Sequence, residues 1–336
     1  MKPIVIVIFL SLFFSRLFAA DTTVLRGKII CVDAGHGGTA LTDLYRQGPT
    51  GEREEWINLR VAKLLQEKLQ QQGATVIMTR ISDDTIALER RAQIAVENKA
   101  DIFISIHHNA TADSSVNFPI VFFHGAVSEN KASVALGKSL ITALQKTLYK
   151  RPAQAMVVSD YTIFPTKGAN VLRNTYGIPG IIGEASFFTN PREEDRLKQD
   201  EHNQNEATAY VDALVNYFNQ PKEEILPMQI MQQLPPFIVY EESSRMNVDA
   251  RKWLTDYKNA IKLAKSENSK KIKQAYLLFK RSASSFPDSY VAGECHRNIS
   301  ILAAKLGNKL ESEQEKLRWK ECYVQLKNGV AASISK

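Results

Sequence analysis

The sequence predicts an α/β fold with a mostly parallel sheet and helices on both faces, followed by a small all-α domain of helical hairpins. Two observations carry that prediction. From Lys28 to about Asn219, short β-branched runs alternate with helical apolar stripes. Beyond about residue 248, four apolar stripes at helical spacing follow one another with no intervening strand pattern. Repeated strand–helix–strand units place strands in parallel and cover the sheet on both sides.

The elements follow in order. Lys28–Asp33 (KIICVD) is a short apolar run that ends at Gly35-His36-Gly37-Gly38, a strand feeding a loop. Glu54–Gln72 carries apolar residues at 57, 61, 64, 65 and 69, the stripe of a helix that Gly73 closes. Ala74–Arg80 is β-branched and strand-like, Leu88–Asn98 is helical, and Asp101–Ile106 (DIFISI) is a buried strand. Strands at Ile120–His124 and Gly180–Gly183 and helices at Ser128–Tyr149 and Asn203–Phe218 complete the alternation. Residues 220–247 change character. Pro221, Pro227, Pro235 and Pro236 stand among Gln, Met and Glu without periodicity, which reads as a linker laid on a surface through Phe237-Ile238-Val239-Tyr240. The four stripes of 248–336 then form two hairpins that loosely resemble tetratricopeptide repeats. Phe286-Pro287-Asp288-Ser289 ends the second helix and caps the third.

Composition limits the function classes. With 336 residues, 44% hydrophobic and 24% charged, the chain has material for more than one packed core, and disordered or fibrous classes are excluded. The net charge of +7 is uneven. Residues 246–336 hold 18 Lys and Arg against 9 Asp and Glu, a net +9, which leaves −2 for the rest. Residues 1–20 read as a secretory signal: Lys2, an apolar run from Ile4 to Phe14 broken only by Ser11, then Ala19-Ala20. The expected protein is therefore exported to the periplasm or cell envelope, with no transmembrane segment once the signal is removed. Cys31 reads as a small buried hydrophobe. Cys295 and Cys322 lie on two predicted helices, and spacing leaves open whether they pair.

Three polar residues fall at carboxyl ends of strands, where open α/β sheets bind ligands. His36 follows the first strand, His107 ends the third and Glu184 ends the last. Two imidazoles and an acidic residue suit Zn²⁺, whose catalytic sites use three protein ligands and an open position. A lone histidine at a strand end is more often structural, so spacing alone does not fix the ligand set.

The motifs go further. Ile30–Gly38 (ICVDAGHGG) with Glu54, Asn58, Leu59, Thr79-Arg80, Leu88 and Arg91, then Ala100–Ala110 (ADIFISIHHNA) and Ile181–Asn190 (IIGEASFFTN), resemble the zinc-dependent N-acetylmuramoyl-L-alanine amidases. The resemblance covers about residues 27–219. It implies one Zn²⁺ held by His36, Glu54 and His107. Glu54 is preferred to Glu52 and Glu55 because it stands five residues before Leu59. It further implies Glu184 as the carboxylate that takes a proton from the attacking water and returns it to the departing amine. The scissile bond would join muramic acid to the L-alanine of the peptidoglycan stem peptide. Asp33 would orient His36 through its free ring nitrogen, Asn109 would hold the loop after His107, and His108 would sit behind the site or at its rim. Arg80 and Arg91 would tie element ends together. The chain departs from the family at Ala34, at 39–50 and at Phe118-Pro119.

Two other readings compete: a zinc peptidase cutting within the stem, and an envelope scaffold with a degenerate amidase domain. Some family members block their zinc with a long helical insertion. Here residues 124–129 make a tight connection, so the site is expected to lack that block. The lysine-rich first hairpin suggests a protein partner or an anionic envelope component, and export argues against nucleic acid.

Overall fold

The computed structural model describes residues 22–43, 46–149 and 153–326. The expected signal segment lies outside them. Six strands form one sheet: β1 (Ile29–Ala34), β2 (Thr75–Met78), β3 (Ile102–Asn109), β4 (Ile120–Phe123), β5 (Met156–Ser159) and β6 (Gly180–Phe187). Their order is β2-β1-β3-β6-β4-β5. All neighbours are parallel except β4 and β6, which run antiparallel.

Interleaved with the strands are α1 (Glu54–Gln71), α2 (Leu88–Glu97), α3 (Lys131–Leu148), α4 (Asn170–Asn174), α5 (Pro191–Leu197) and α6 (Asp200–Phe218). Successive strand residues point to opposite faces, so β1 sends Ile30, Val32 and Ala34 into one core and Cys31 into the other. The first core lies under α1, α3 and α6.

The second core is completed by the rest of the chain. Short helices α7 (Ile230–Gln233) and α8 (Glu242–Arg245) lead into α9 (Trp253–Ala264), α10 (Ser269–Ser285), α11 (Ala292–Lys305) and α12 (Lys309–Cys322), each long helix packed on the next. Trp253 and Phe286 form an aromatic cluster with Phe118 and Phe187 of the sheet layer: Phe286 lies 6.2 Å from Phe118 and 6.1 Å from Phe187, and Trp253 lies 5.0 Å from Phe286. Trp253 Nε1 also donates to Asp113 at 3.2 Å. The helical region is thus one of the layers that bury the sheet.

The stretch read as a linker is laid down by specific bonds. Ile225 bridges to Asn130, Leu226 N donates to Glu129 O, and the Glu129 carboxylate accepts from the amides of Gln229 and Ile230. Phe237 is buried, Ile238 is exposed, and Tyr240 N donates to Ser284 O.

Three expectations need correction, and the open question of Cys295 and Cys322 is answered. Glu184 does not end its strand, because β6 continues to Phe187. The last helix stops at Cys322. Tyr323 instead bridges to Val158, and Val324 N donates to Val157 O, so the chain covers the open edge of β5. Asp288 is not the cap of α11, whose N-cap is Val291. Cys295 and Cys322 stand as free thiols, each pushed up by burial to about 12. No helix among the described residues is long and apolar enough to cross a membrane.

Candidate active site

Side chains from four elements meet at the carboxyl ends of β1, β3 and β6. His36 lies two residues beyond β1 with φ +58, a left-handed conformation that costs a non-glycine residue free energy. Arg91 Nη2 holds it there, donating to His36 O at 2.5 Å. The flanking glycines are sterically required. A Cβ on Gly35 would lie 2.2 Å from His107 Nε2, and one on Gly37 would lie 2.4 Å from Asp84 O. Arg80 clamps the turn from below, donating to the carbonyls of Ala34, Gly35 and Glu55.

Glu54 opens α1 and is buried. Its Oε1 is 3.2 Å from His36 Nε2 and 2.9 Å from His107 Nδ1, and it accepts from Asn58 Nδ2 and His108 N at 3.3 Å each. The neighbouring acids are engaged elsewhere: Glu52 pairs with Arg60 at 2.6 Å and Glu55 with Arg53 at 2.8 Å. One donor atom each from His36, Glu54 and His107 lies within 4.8 Å of the others. Although burial disfavours its charge, His36 and the hydrogen bond from His107 hold the Glu54 carboxyl well below its ordinary range. Burial also lowers the pKa of His107, which favours the neutral, ligating imidazole. Two neutral-capable imidazoles and one carboxylate fit a zinc ion, and among the described residues no other cluster of this kind occurs.

Glu184 is the register partner of His107 across β3 and β6, and the ladder shifts by one residue just beyond them, at Asn109 and Phe187. Its Oε2 is buried without a hydrogen-bond partner among the described residues. Burial, then the negative charges of Glu54 and Asp288, raise its pKa well above the carboxylate range, against the opposing pull of Arg46 and Arg245. A carboxyl so placed holds a proton more readily than a free one.

Asp33 does not touch the His36 ring. It is buried and accepts from Thr79 Oγ1, Ser105 Oγ and Arg91 Nη1, so it reaches His36 only through the Arg91 guanidinium. Asn109 Oδ1 accepts from Ala110 N at 2.8 Å, and its Nδ2 donates to Asp288 at 3.4 Å. His108 is buried behind Glu54, bonded to Asn58 at 2.9 Å and Glu206 at 3.0 Å, and is no rim residue. Three groups at the site have no local signature. Arg46 Nε donates to His36 Nε2 at 3.1 Å and lies 3.8 Å from Glu54. Arg245 and Asp288 line the same cleft of about 1050 Å³ from the far end of the chain.

A family model described as N-acetylmuramoyl-L-alanine amidase matches residues 30–216. The chain belongs to this amidase family. YqiI, an uncharacterized protein of Bacillus subtilis strain 168, is 30% identical over 199 residues, covering 58% of this chain and 87% of the relative. The probable cell wall amidase LytH of Staphylococcus aureus is 32% identical over 197 residues, covering 58% of this chain but 60% of its own length. An N-acetylmuramoyl-L-alanine amidase from Clostridium difficile 630 superposes with TM-score 0.51 at 25% identity, over 58% of this chain and 98% of that one. AmiC2 of Nostoc punctiforme shares the fold, with TM-score 0.50 at 23% identity over 57% and 98% of the two chains. The amidase match ends before α7, so the helical region that completes the cleft lies beyond it.

Proposed function

We propose that the protein is a peptidoglycan hydrolase that cleaves the amide bond between N-acetylmuramic acid and the L-alanine of the stem peptide. His36, Glu54 and His107 would hold a zinc ion. When bound, such an ion polarises the scissile carbonyl and lowers the pKa of the attacking water. The chain's own contribution is proton handling and position. Glu184 accepts the water's proton and passes it to the departing amine. The Glu206–His108–Asn58 chain and the His108 amide fix the Glu54 carboxylate from behind, so it need not reorganise. The Arg80 and Arg91 clamps keep His36 in its strained turn.

The observation that carries this reading is the placement of Glu184. It faces His107 across adjacent strands, with a buried oxygen that has no hydrogen-bond partner among the described residues, in the cleft that also holds the other three residues. The pattern of residues 1–20 and the substrate class support a location outside the cytoplasmic membrane, in the periplasm or envelope. For the cationic hairpin, the exposed lysines 258, 262, 270, 271 and 273 offer a surface for an acidic partner, whereas Lys280 and Arg281 are paired with Glu311 and Asp256.

The test is mass spectrometry of soluble products when residues 21–336 digest purified sacculi, with Glu184→Ala beside it. Intact stem peptides with a free L-alanine amine, absent with the variant, are expected. Fragments cut within the stem would move the assignment to a peptidase, and no release at all would count against the amidase.

A further inference from the structure

We propose that Arg245, brought into the catalytic cleft by the segment that precedes the helical region, binds a carboxylate of the stem peptide and so sets which stems are accepted. This rests on the stem peptide being the substrate.

Beside residues 163–173, whose Arg173 donates to the carbonyls of Lys167 and Gly168, the cleft has two walls of different origin. One is the sheet edge with His36, Glu54, His107 and Glu184. The other is the segment from Pro236 to Met246, with Asp288 beside it. That second wall is fixed in place. Phe237 is buried against His296 at 4.6 Å and under the Arg318 guanidinium at 5.5 Å, and Ser284 bonds both Ile238 O and Tyr240 N. Arg318 also donates to Pro235 O at 2.6 Å. Phe286, two residues before Asp288, sits in the aromatic cluster on Phe118 and Phe187.

On this wall Arg245 is the cation that lines the cleft, and its Nε is buried with no hydrogen-bond partner among the described residues. A buried guanidinium N–H without an acceptor is costly, and planar carboxylates are the ligands that satisfy it best. The surroundings demand the same sign. Glu54, Glu184 and Asp288 gather acidic charge in the cleft, so an acidic peptide can enter only where cations offset them. Arg46 already donates to His36 at the metal-ligand end. Arg245 stands on the opposite wall, and its charge is felt at both Glu184 and Asp288. A peptide carboxylate on Arg245 would anchor the stem while its N-terminal amide lies near Glu184.

The experiment is calorimetric binding of two synthetic stem tripeptides to residues 21–336. One tripeptide has free carboxylates and the other is fully amidated. Thermal melting and metal content serve as controls for the variants. The expected result is that the free-carboxylate peptide binds at least tenfold more tightly than the amidated one, about 1.4 kcal/mol. Arg245→Gln should abolish that difference and Arg245→Lys should restore part of it. Equal binding of both peptides to the unaltered protein would overturn the proposal even if Arg245→Gln failed to fold. So would an Arg245→Gln loss of the same size for both. The sacculus digestion separates the two readings. Muramoyl-L-alanine cleavage without carboxylate discrimination removes Arg245's role alone. Discrimination without such cleavage removes the amidase assignment and leaves the carboxylate site.

Discussion

His107 and Glu184 occupy the same rung of the β3–β6 ladder, one imidazole and one carboxyl side by side on neighbouring parallel strands. Because strand residues in register share a face, the proposed ligand His107 and the proposed proton carrier Glu184 are fixed relative to each other by backbone hydrogen bonds. Replacing Glu184 with Gln keeps the shape and removes the proton. Turnover should fall roughly 10²–10⁴-fold, while zinc content measured by elemental analysis stays at the unaltered level. A loss of zinc alongside activity would place Glu184 among the ligands instead.

Gly35 tests the turn. Its missing Cβ would lie 2.2 Å from His107 Nε2, so Gly35→Ala must push that imidazole aside. Zinc retention after dialysis should drop sharply, whereas the melting temperature should change little, since the displaced ring is at the cleft and not in either core. Full zinc retention by Gly35→Ala would contradict this geometry.

Arg46 places a positive charge beside two of the proposed ligands. Like charge disfavours a bound dication. Arg46→Ala should therefore tighten zinc binding by roughly tenfold, about 1.4 kcal/mol, read by competition with a chromogenic chelator. Unchanged or weaker binding would mean that the arginine swings clear when metal enters.

Asp33 gives a pH dependence. Burial opposes its charge, but Arg91 and the hydrogen bonds from Ser105 and Thr79 win and hold its pKa down. Its folded pKa lies below the unfolded value of about 3.9. The contribution is therefore present above that value and is lost as pH falls through the folded pKa. Asp33→Asn leaves Arg91 buried without its carboxylate, and about 3 kcal/mol of stability at pH 7 should go with it. Melting curves from pH 7 down to pH 3 should show the gap between variant and parent closing toward the acid end. A constant gap would assign the loss to packing.

Phe286→Ala probes the joint between the two layers. Removing a buried aromatic typically costs about 3–5 kcal/mol. It should also loosen Asp288 and the Pro236–Met246 wall, so KM for sacculus fragments should rise while zinc content holds. A stability loss with KM unchanged would show that the wall is held by its other bonds.

Much of this was legible in residue patterns because it is local. The runs KIICVD, DIFISI and IIGE are buried on both sides of the sheet for most of their length and so are mainly apolar. The motifs around His36, His107 and Glu184 lie at their ends or within them. Strand β5 escapes the sequence reading although it is as long as β2 and β4, which do not. Arg46, Arg245 and Asp288 escape too. Asp288 stands in a loop whose Pro and Ser neighbours read as punctuation, and its partner Asn109 is 179 residues away. Nothing local marks a residue whose role comes from how two layers stack. The same stacking makes the expectation of an unobstructed site incomplete. The described residues 125–130 carry no inserted helix, yet one side of the cleft is built from residues after 235.

Tyr323 and Val324, beside the β5 edge, are among the last described residues of the chain. An exposed strand edge invites pairing with other chains until something covers it, and here the cover comes from a segment that follows every strand in sequence. The second wall of the cleft likewise follows every candidate ligand in sequence. A chain cut back to its sheet layer would keep His36, Glu54, His107 and Glu184 and lose the wall that carries Arg245.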